Sequence, residues 1–196
     1  GPPTSRPMTG EAMAEIYFTD DDGANDLLAT NHFALLVGLT LYQQVPVEKA
    51  FAGPSVLRDR LGGDLDAATV AGMDPDELND VFREKPALHR FPGSMAKRTQ
   101  AVAVHVVETY DGETSGIWEG VDDADELQRR IKALPGFGDY KARVYAAVLA
   151  RRFGIRPSGW EDHLPDWPNI SEVDEPEDRD AMKLRKKEWK AAQAPD

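Results

Sequence analysis

Apolar residues recur at helical spacing along most of the chain, and no segment alternates apolar and polar residues as a half-buried strand would. The stretch from Phe33 to Val37 is apolar on all sides and predicts a buried central helix within residues 25–43. A second helix is predicted from Pro46 to Leu61, because proline suits a first helical turn and Gly62-Gly63 ends the helix. The pattern therefore indicates an all-α protein.

Capping residues predict the remaining helices. Asp74-Pro75 has the aspartate and proline typical of a helix start, and this short helix should end near Phe82. Ser94 is predicted to cap a long helix that ends at Asp111-Gly112. Further helices are expected over residues 123–133 and from residue 140 onward, and a last, charged helix over residues 177–192.

Composition divides the chain into three parts. Residues 1–22 are predicted to be disordered, residues 23–165 to form the core, and residues 166–196 to be an acidic segment whose last helix packs on that core. The longest apolar stretch, Phe33 to Tyr42, is shorter than the about 20 residues that span a bilayer. The N-terminus also lacks the apolar region of a signal peptide. We expect a cytoplasmic protein with no membrane partner.

The acidic balance of the chain hides two basic segments. The 196 residues carry a formal net charge of −12, which argues against a nucleic-acid partner because phosphate affinity depends on Lys and Arg. Residues 85–107 nevertheless carry +4 with no acid, and residues 129–157 carry +7, so the rest of the chain holds −23. The basic segments fit either solvated helix faces or a DNA-binding surface, and charge alone does not separate the two.

The absence of cysteine limits the possible cofactors. Without cysteine the chain cannot form disulfides, cysteine zinc sites, thiol nucleophiles or cysteine-ligated iron–sulfur clusters. The four histidines show no metal-ligand spacing. We therefore expect no metal site with protein side-chain ligands and no cofactor.

A glycine-rich turn between two predicted helices carries the most specific chemistry. In Leu134-Pro-Gly-Phe-Gly138 the glycines leave no Cβ in the way, so that backbone N–H groups can approach a phosphate at the start of the next helix. Lys141 follows one turn later and can add positive charge. The alternative is a plain turn in which glycine only ends the first helix.

Leu134-Pro-Gly-Phe-Gly138 with Lys141-Ala142 resembles the helix-hairpin-helix of the endonuclease III-like DNA glycosylase superfamily, called HhH-GPD. Leu36 to Ala50 is similar to an early helix and turn of its 3-methyladenine glycosylase branch. Phe91 to Arg98 is similar to the loop and basic helix start that lie against the damaged strand. The resemblance implies a bilobed all-α fold, with the hairpin at residues 124–154 and without the iron–sulfur cluster of many members.

The resemblance also implies that the protein flips a damaged base out of double-stranded DNA, since chemistry at a glycosidic carbon cannot proceed inside a stacked duplex. Gln43 or Gln44 on one loop, and Phe91 or Met95 on the other, are candidates to fill the gap; the alternative is that they are polar turn residues and core hydrophobes. The implied DNA-binding residues are Gln43, Gln44, Phe91, Gly93, Ser94, Lys97, Arg98, Gly136, Gly138 and Lys141. The candidate walls of the base pocket are Tyr42, Tyr140 and Trp160, and the hairpin carbonyls that would hold a monovalent cation are those of Leu134, Gly136 and Gly138.

In the superfamily a catalytic aspartate lies shortly after the hairpin, usually as Asp-x-His, and stabilises the oxocarbenium-like sugar. Aligning on His163 places Glu161 at that position, with Asp162 as the second candidate. The alternative is a solvated acidic pair in an acidic tail. Tyr140 stands where the superfamily's lyases carry a lysine, and Lys141 is rotated from it by about 100°, toward phosphate rather than the sugar. An enzyme without lyase activity is therefore implied.

The sequence favours a monofunctional DNA glycosylase of base excision repair, which hydrolyses the N-glycosidic bond of an alkylated or deaminated base. We expect such a protein to be a nucleoid-associated monomer. The competing hypothesis is a catalytically inactive DNA-structure binder, which the altered segment Ser158 to His163 and the acid Asp139 beside the phosphate grip favour. A helical scaffold without DNA contact would make the basic segments coincidental. In each case Trp167 and Trp189 are expected to pack the C-terminal segment onto the core.

Overall fold

The computed structural model describes residues 14–194. Over these residues the chain forms α-helices and short 3-10 helices and no β-strand, which confirms the all-α prediction. The α-helices are α1 (Asp22–Thr30), α2 (His32–Leu41), α3 (Val47–Arg60), α4 (Ala67–Ala71), α5 (Pro75–Arg83), α6 (Pro92–Tyr110), α7 (Ala124–Lys132), α8 (Asp139–Phe153) and α9 (Pro176–Gln193). The 3-10 helices are Thr114–Ile117, Trp160–His163 and Ile170–Glu172.

The prediction of one helix over residues 25–43 is wrong, because Asn31 divides it into α1 and α2. Asn31 is extended, with φ −127°; its side chain accepts the N–H of Ala34 and donates to the carbonyl of Leu65. Asparagine is a favoured helix cap, since its short side chain satisfies the first N–H groups of the next helix. The prediction of a buried centre is confirmed, because every residue from Phe33 to Leu41 is buried.

Capping signals predict the helix starts well, with one exception. Asp74 caps α5 by accepting two backbone N–H groups, as predicted, and Asp123 caps α7 by accepting the N–H of Asp125. Ser94 does not cap α6, which begins two residues earlier at Pro92 and has no side-chain cap. Proline at the first position supplies the helical φ by itself. The sequence pattern did not predict α4, whose five residues are too few for a periodic signal.

The core begins earlier in the chain than predicted. Ile16 and Phe18 are 4% and 0% exposed, and the ring of Phe18 lies edge-on against that of Phe51 with centroids 5.0 Å apart. Burying one such side chain contributes roughly 1.5–3 kcal/mol, which holds a segment of otherwise polar composition on the core. Of the segment predicted to be disordered, residues 1–13 lie outside the described part.

The packing of the helices brings α8 and α9 to the candidate site. α2 packs against α1, α3 and α6, and α8 packs against α7 and the 3-10 helix Ile170–Glu172. α9 is held to the core by Met182, which is fully buried, and by Arg179, whose guanidinium binds Glu48 and Asp20. Within residues 14–194, no helix combines the length and the apolar character needed to cross a bilayer.

Candidate nucleic-acid interface

Three separate segments are joined by a chain of contacts: the glutamine turn (residues 42–46) contacts both the Phe91 loop (residues 89–94) and the hairpin turn (residues 134–141), and the hairpin turn also contacts α6. Lys141 Nζ of the hairpin turn donates to the Thr40 carbonyl at 3.2 Å and to Gln43 Oε1 at 3.3 Å. Arg98, in α6 just after the Phe91 loop, covers Gly136 so closely that a Cβ there would lie 2.7 Å from Arg98 Cδ. The structure therefore brings together all three segments that carry the family resemblance.

His89 ties the Phe91 loop to the glutamine turn. Its Nε2 lies 3.0 Å from the Leu41 carbonyl and 3.1 Å from the Gln43 carbonyl, and its Nδ1 accepts the N–H of Phe91 at 2.9 Å. Because Nδ1 accepts, the proton of the neutral ring is on Nε2, which donates to the carbonyls. His89 is 2% exposed. This buried histidine thus fixes both loops.

We expect the protein to lose stability as the pH falls below 6.5, because burial holds the pKa of His89 below that ordinary value; the nearby Lys49 and Lys141 lower it further, against the effect of the two carbonyls. The unfolded chain binds the proton first, so the stability is present above pH 6.5 and is lost as the pH falls toward the folded pKa. Thermal unfolding of the wild type and His89→Gln between about pH 7.5 and 5 measures the effect. Parallel losses in both proteins would contradict the assignment.

The hairpin turn presents backbone N–H groups that no side chain caps. Gly138 precedes α8 and makes no side-chain capping bond, whereas Asp123 caps α7. The first N–H groups of a helix need a partner, and anions satisfy them well. Asp139 lies at this end but has its charge offset by Arg143 at 3.3 Å and Lys132 at 3.8 Å. The arrangement suits a phosphate despite the neighbouring acid.

A cleft of about 720 Å³ opens beside the hairpin turn, within the size range of small-ligand sites. Its aromatic walls are Tyr42, Tyr140 and Trp189, and Trp167 stacks on Tyr140 with ring centroids 4.3 Å apart. Such planar surfaces suit an unstacked base. The polar lining residues are Gln43, Gln44, Lys141, Asn169, Lys183, Lys186, Lys187 and Lys190, and none of the described lining residues is acidic.

Lys141 lies in the cleft, half-buried, rather than on an outer face as expected for a phosphate contact. Burial, together with repulsion from Arg98, lowers its pKa to about 8. Its ammonium group lies 5.3 Å from the centre of the Phe137 ring. At neutral pH the amine is therefore mostly charged, and it becomes neutral in mildly alkaline solution.

Phe91 and Gln44 are the exposed candidates for a side chain that fills the gap left by a flipped base. Phe91 is 43% exposed, with the guanidinium of Arg90 5.3 Å from its ring centre. Gln44 has φ 58°, which is uncommon for a residue other than glycine and occurs at tight functional turns. Met95 is 2% exposed and belongs to the core, so the core alternative holds for it.

The other predicted residues of α6 and the Phe91 loop are divided between surface and packing positions. Ser94 and Lys97 are exposed in the first turns of α6. Gly93 packs against the guanidinium of Arg83, where a Cβ would lie 2.7 Å from a terminal nitrogen. Ser94 and Lys97 can therefore meet a ligand directly, whereas Gly93 serves the packing of α5 on α6.

Glu161 and Asp162 do not line the cleft. Both are exposed on the 3-10 helix Trp160–His163. Gly154 ends α8 in a left-handed conformation, after which the Ser158 carbonyl accepts the N–H of Ala124 at 2.9 Å. This pairing holds the candidate carboxylates at the start of α7, away from the lining residues of the cleft.

Trp160 and His163 also lie outside the cleft. The guanidinium of Arg156 is 5.0 Å from the Trp160 ring centre, and His163 Nε2 is 2.6 Å from Asp125 Oδ1. The cavity beside both side chains measures about 10 Å³, which is room for a single water and not for a base. The structure thus separates Trp160 from Tyr42 and Tyr140, with which it was predicted to form one pocket.

Sequence reasoning missed the lysines that α9 contributes to the cleft. Lys183, Lys186, Lys187 and Lys190 were counted within an acidic C-terminal segment. Their spacing of three, one and three residues places them on one face of a helix, and this spacing was the available signal. Net charge summed over a segment conceals such a face.

Comparisons with family models, with curated proteins and with solved structures find no match for this chain. The likeness to the glycosylase superfamily therefore stays a prediction from three sequence segments. The predicted monovalent cation at the hairpin carbonyls likewise stays a prediction.

Proposed function

We propose that the protein is a monofunctional DNA glycosylase of base excision repair. The observation that carries this proposal is the bond of Lys141 in the hairpin turn to Gln43 in the glutamine turn, beside a cleft with aromatic and lysine walls, while His89 joins the Phe91 loop to the same glutamine turn. Packing alone gives no reason for an exposed phenylalanine, an uncapped helix start and a cleft that is lined mainly by the lysines of α9. A ligand with phosphates and a planar base needs all of them.

In this proposal each segment has one task. The hairpin turn holds a backbone phosphate through the N–H groups at the start of α8. Phe91 and Gln44 enter the duplex where the base has left, and the base stacks between Tyr42 and Tyr140 in the cleft. Hydrolysis then breaks the bond between the sugar carbon and the base nitrogen, water supplies the new oxygen on that carbon, and the base leaves with a proton.

The catalytic group in this proposal is Glu161 or Asp162, although neither of them lines the cleft. Lys141 is the amine that an abasic-site aldehyde would meet inside it. A monofunctional enzyme does not use that amine for strand cleavage, so Lys141 would serve as a charge near the sugar and phosphate.

The second candidate function is a catalytically inactive protein that binds extruded or distorted DNA. One observation favours it: none of the described residues that line the cleft carries a carboxylate. Without a carboxylate near the sugar, the developing positive charge of the transition state has no partner. Binding would then remain while hydrolysis is lost.

Duplexes that each carry one lesion test the two candidates. Uracil, hypoxanthine, methylated purines and oxidised pyrimidines are scored for abasic sites with the wild type, Glu161→Gln and Asp162→Asn. Release that one variant loses supports the glycosylase and identifies its carboxylate. Binding without release on any lesion supports the inactive binder. A covalent adduct trapped by borohydride, present in the wild type and absent in Lys141→Met, would overturn the monofunctional proposal.

Replacing Phe91 with alanine should weaken binding to a duplex with an abasic-site analogue by about tenfold, because stacking on an aromatic side chain contributes roughly 1–3 kcal/mol per base. Stability should change little, since this ring is 43% exposed. Fluorescence anisotropy and thermal unfolding give the two readings. Leu184→Ala is a matched control, because Leu184 is exposed on α9 and does not line the cleft. Equal affinities of Phe91→Ala and the wild type would remove Phe91 from the interface.

A further inference from the structure

The C-terminal helix turns four lysines toward the cleft. Lys183, Lys186, Lys187 and Lys190 all line it, and their spacing confines them to an arc of about 100° on α9. We name this set the lysine face. Arg179 and Met182, which are 7% and 0% exposed, anchor this helix to the core. The lysine face is therefore held in place and is not a fluctuating tail.

The charge of the lysine face is largely unpaired within residues 14–194. Lys183 pairs with Glu48 at 2.9 Å, but Lys186, Lys187 and Lys190 form no ion pair with a described residue. On the same helix Arg179 and Arg185 do pair with acids, Arg179 with Asp20 and Arg185 with Glu172. A cluster of unpaired cations is conspicuous in a chain whose net charge is −12, and it favours an anionic partner.

The lysine face and the aromatic walls belong to one surface. The ammonium of Lys186 lies 5.1 Å from the ring centre of Tyr42 and 6.0 Å from that of Tyr140, and it is 3.4 Å from the Tyr42 hydroxyl. Burial and repulsion from Lys190 lower the pKa of Lys186, which means that the charged form of this lysine is destabilised in the free protein. An anion bound there would relieve the repulsion.

We propose that the lysine face of α9 binds successive phosphates of the DNA strand whose base enters the cleft. This inference rests on the proposed function and adds a second phosphate site, on the wall of the cleft that α9 forms. From Lys183 to Lys190 the helix advances about 10 Å, and a DNA strand advances about 3.4 Å per nucleotide. The face can thus reach two or three phosphates while the base between them stacks on the tyrosines.

The test compares Lys187→Gln/Lys190→Gln with Arg58→Gln/Arg185→Gln, a control that removes the same charge from residues outside the cleft. Affinity for a duplex with one abasic-site analogue is measured by anisotropy over a series of salt concentrations. Each lost phosphate contact should lower the slope of log affinity against log salt by about 0.9. We expect a decrease of about 1–2 for the lysine variant, little change for the control, and the wild-type slope for Lys187→Arg/Lys190→Arg.

The outcomes separate the two proposals. If the wild type binds with a steep salt dependence and the lysine variant has the same slope, the lysine face is not a phosphate site and the proposed function stands. If the wild type does not bind the duplex, both proposals fail. If Arg58→Gln/Arg185→Gln lowers the slope of log affinity against log salt as much as Lys187→Gln/Lys190→Gln does, the effect is one of net charge. The lysine face is then again excluded as a phosphate site. Unchanged thermal unfolding shows that each variant is folded.

Discussion

Replacing Arg179 with methionine should lower the free energy of unfolding by about 3 kcal/mol, because the buried guanidinium is lost together with its bonds to two carboxylates and a carbonyl. Arg179 Nε donates to Glu48 at 2.8 Å, and its other nitrogens bind the Tyr17 carbonyl and Asp20. The guanidinium therefore joins α9, α3 and the segment before α1. Methionine retains much of the apolar stem but none of these bonds. Denaturation by urea, followed by circular dichroism, measures the loss.

The partner Glu48 makes this prediction specific. Burial alone would raise the pKa of Glu48, but hydrogen bonds from Lys183 and Arg179 hold the pKa below its ordinary value. The corresponding stability is present above the ordinary pKa of the carboxyl and is lost as the pH falls through the lowered one. Without Arg179, the amount of stability that is lost when Glu48 becomes protonated should be smaller. Glu48→Gln should lower stability less in the methionine variant than in the wild type, because the bond between Glu48 and Arg179 is already absent there.

Arg185→Met is the control on the same helix. Arg185 is half exposed and lies 3.5 Å from Glu172, and an exposed ion pair contributes only about 0–1 kcal/mol. We expect its stability to stay within about 0.5 kcal/mol of the wild type. Equal losses in the Arg179 and Arg185 variants would show that the buried guanidinium does not anchor α9.

Local features of the fold were predictable because they depend on neighbours in sequence. Aspartate caps, prolines at helix starts and the apolar stretch of α2 act over a few residues, and the structure has these helices where the pattern placed them. The break at Asn31 was missed because apolar residues continue on both sides of it. Asn31 caps α2 by accepting the N–H of Ala34, and its second bond, to the Leu65 carbonyl, joins residues that lie far apart in sequence.

The site was predictable in its segments but not in its assembly. The contact between Lys141 and Gln43 spans 98 residues, and no local pattern indicates which way the lysine turns. Glu161 and Asp162 were chosen by their order relative to His163, but the pairing of Ser158 with the start of α7 holds them outside the cleft. The position of Glu161 and Asp162 in the sequence identifies them as candidates, but the turn after α8 determines where their side chains lie.

Replacing Gly138 with alanine should reduce the affinity for duplex DNA about tenfold or more while stability stays within about 1 kcal/mol of the wild type. Gly138 has φ −85°, which any residue adopts, and a Cβ there would meet nothing within 4 Å. The methyl group therefore fits the free protein. It would contact only a ligand that approaches the N–H groups at the start of α8. A loss of affinity would therefore show that a phosphate binds there. Unchanged affinity would exclude the hairpin turn as a phosphate site.

Gly136→Ala should instead lower both stability and affinity. Gly136 has φ +81°, and its Cβ would lie 2.7 Å from Arg98 Cδ, so the substitution strains the backbone and displaces Arg98. A residue other than glycine that is held in such a conformation lowers the free energy of unfolding by about 1–3 kcal/mol. Gly112→Ala provides the matched control, because Gly112 has φ +86° but open space around its Cβ. If Gly112→Ala lowers stability alone and Gly136→Ala also lowers DNA affinity, the added loss belongs to the contact between the hairpin turn and α6. Equal affinities in the two variants would show that this contact has no part in binding DNA.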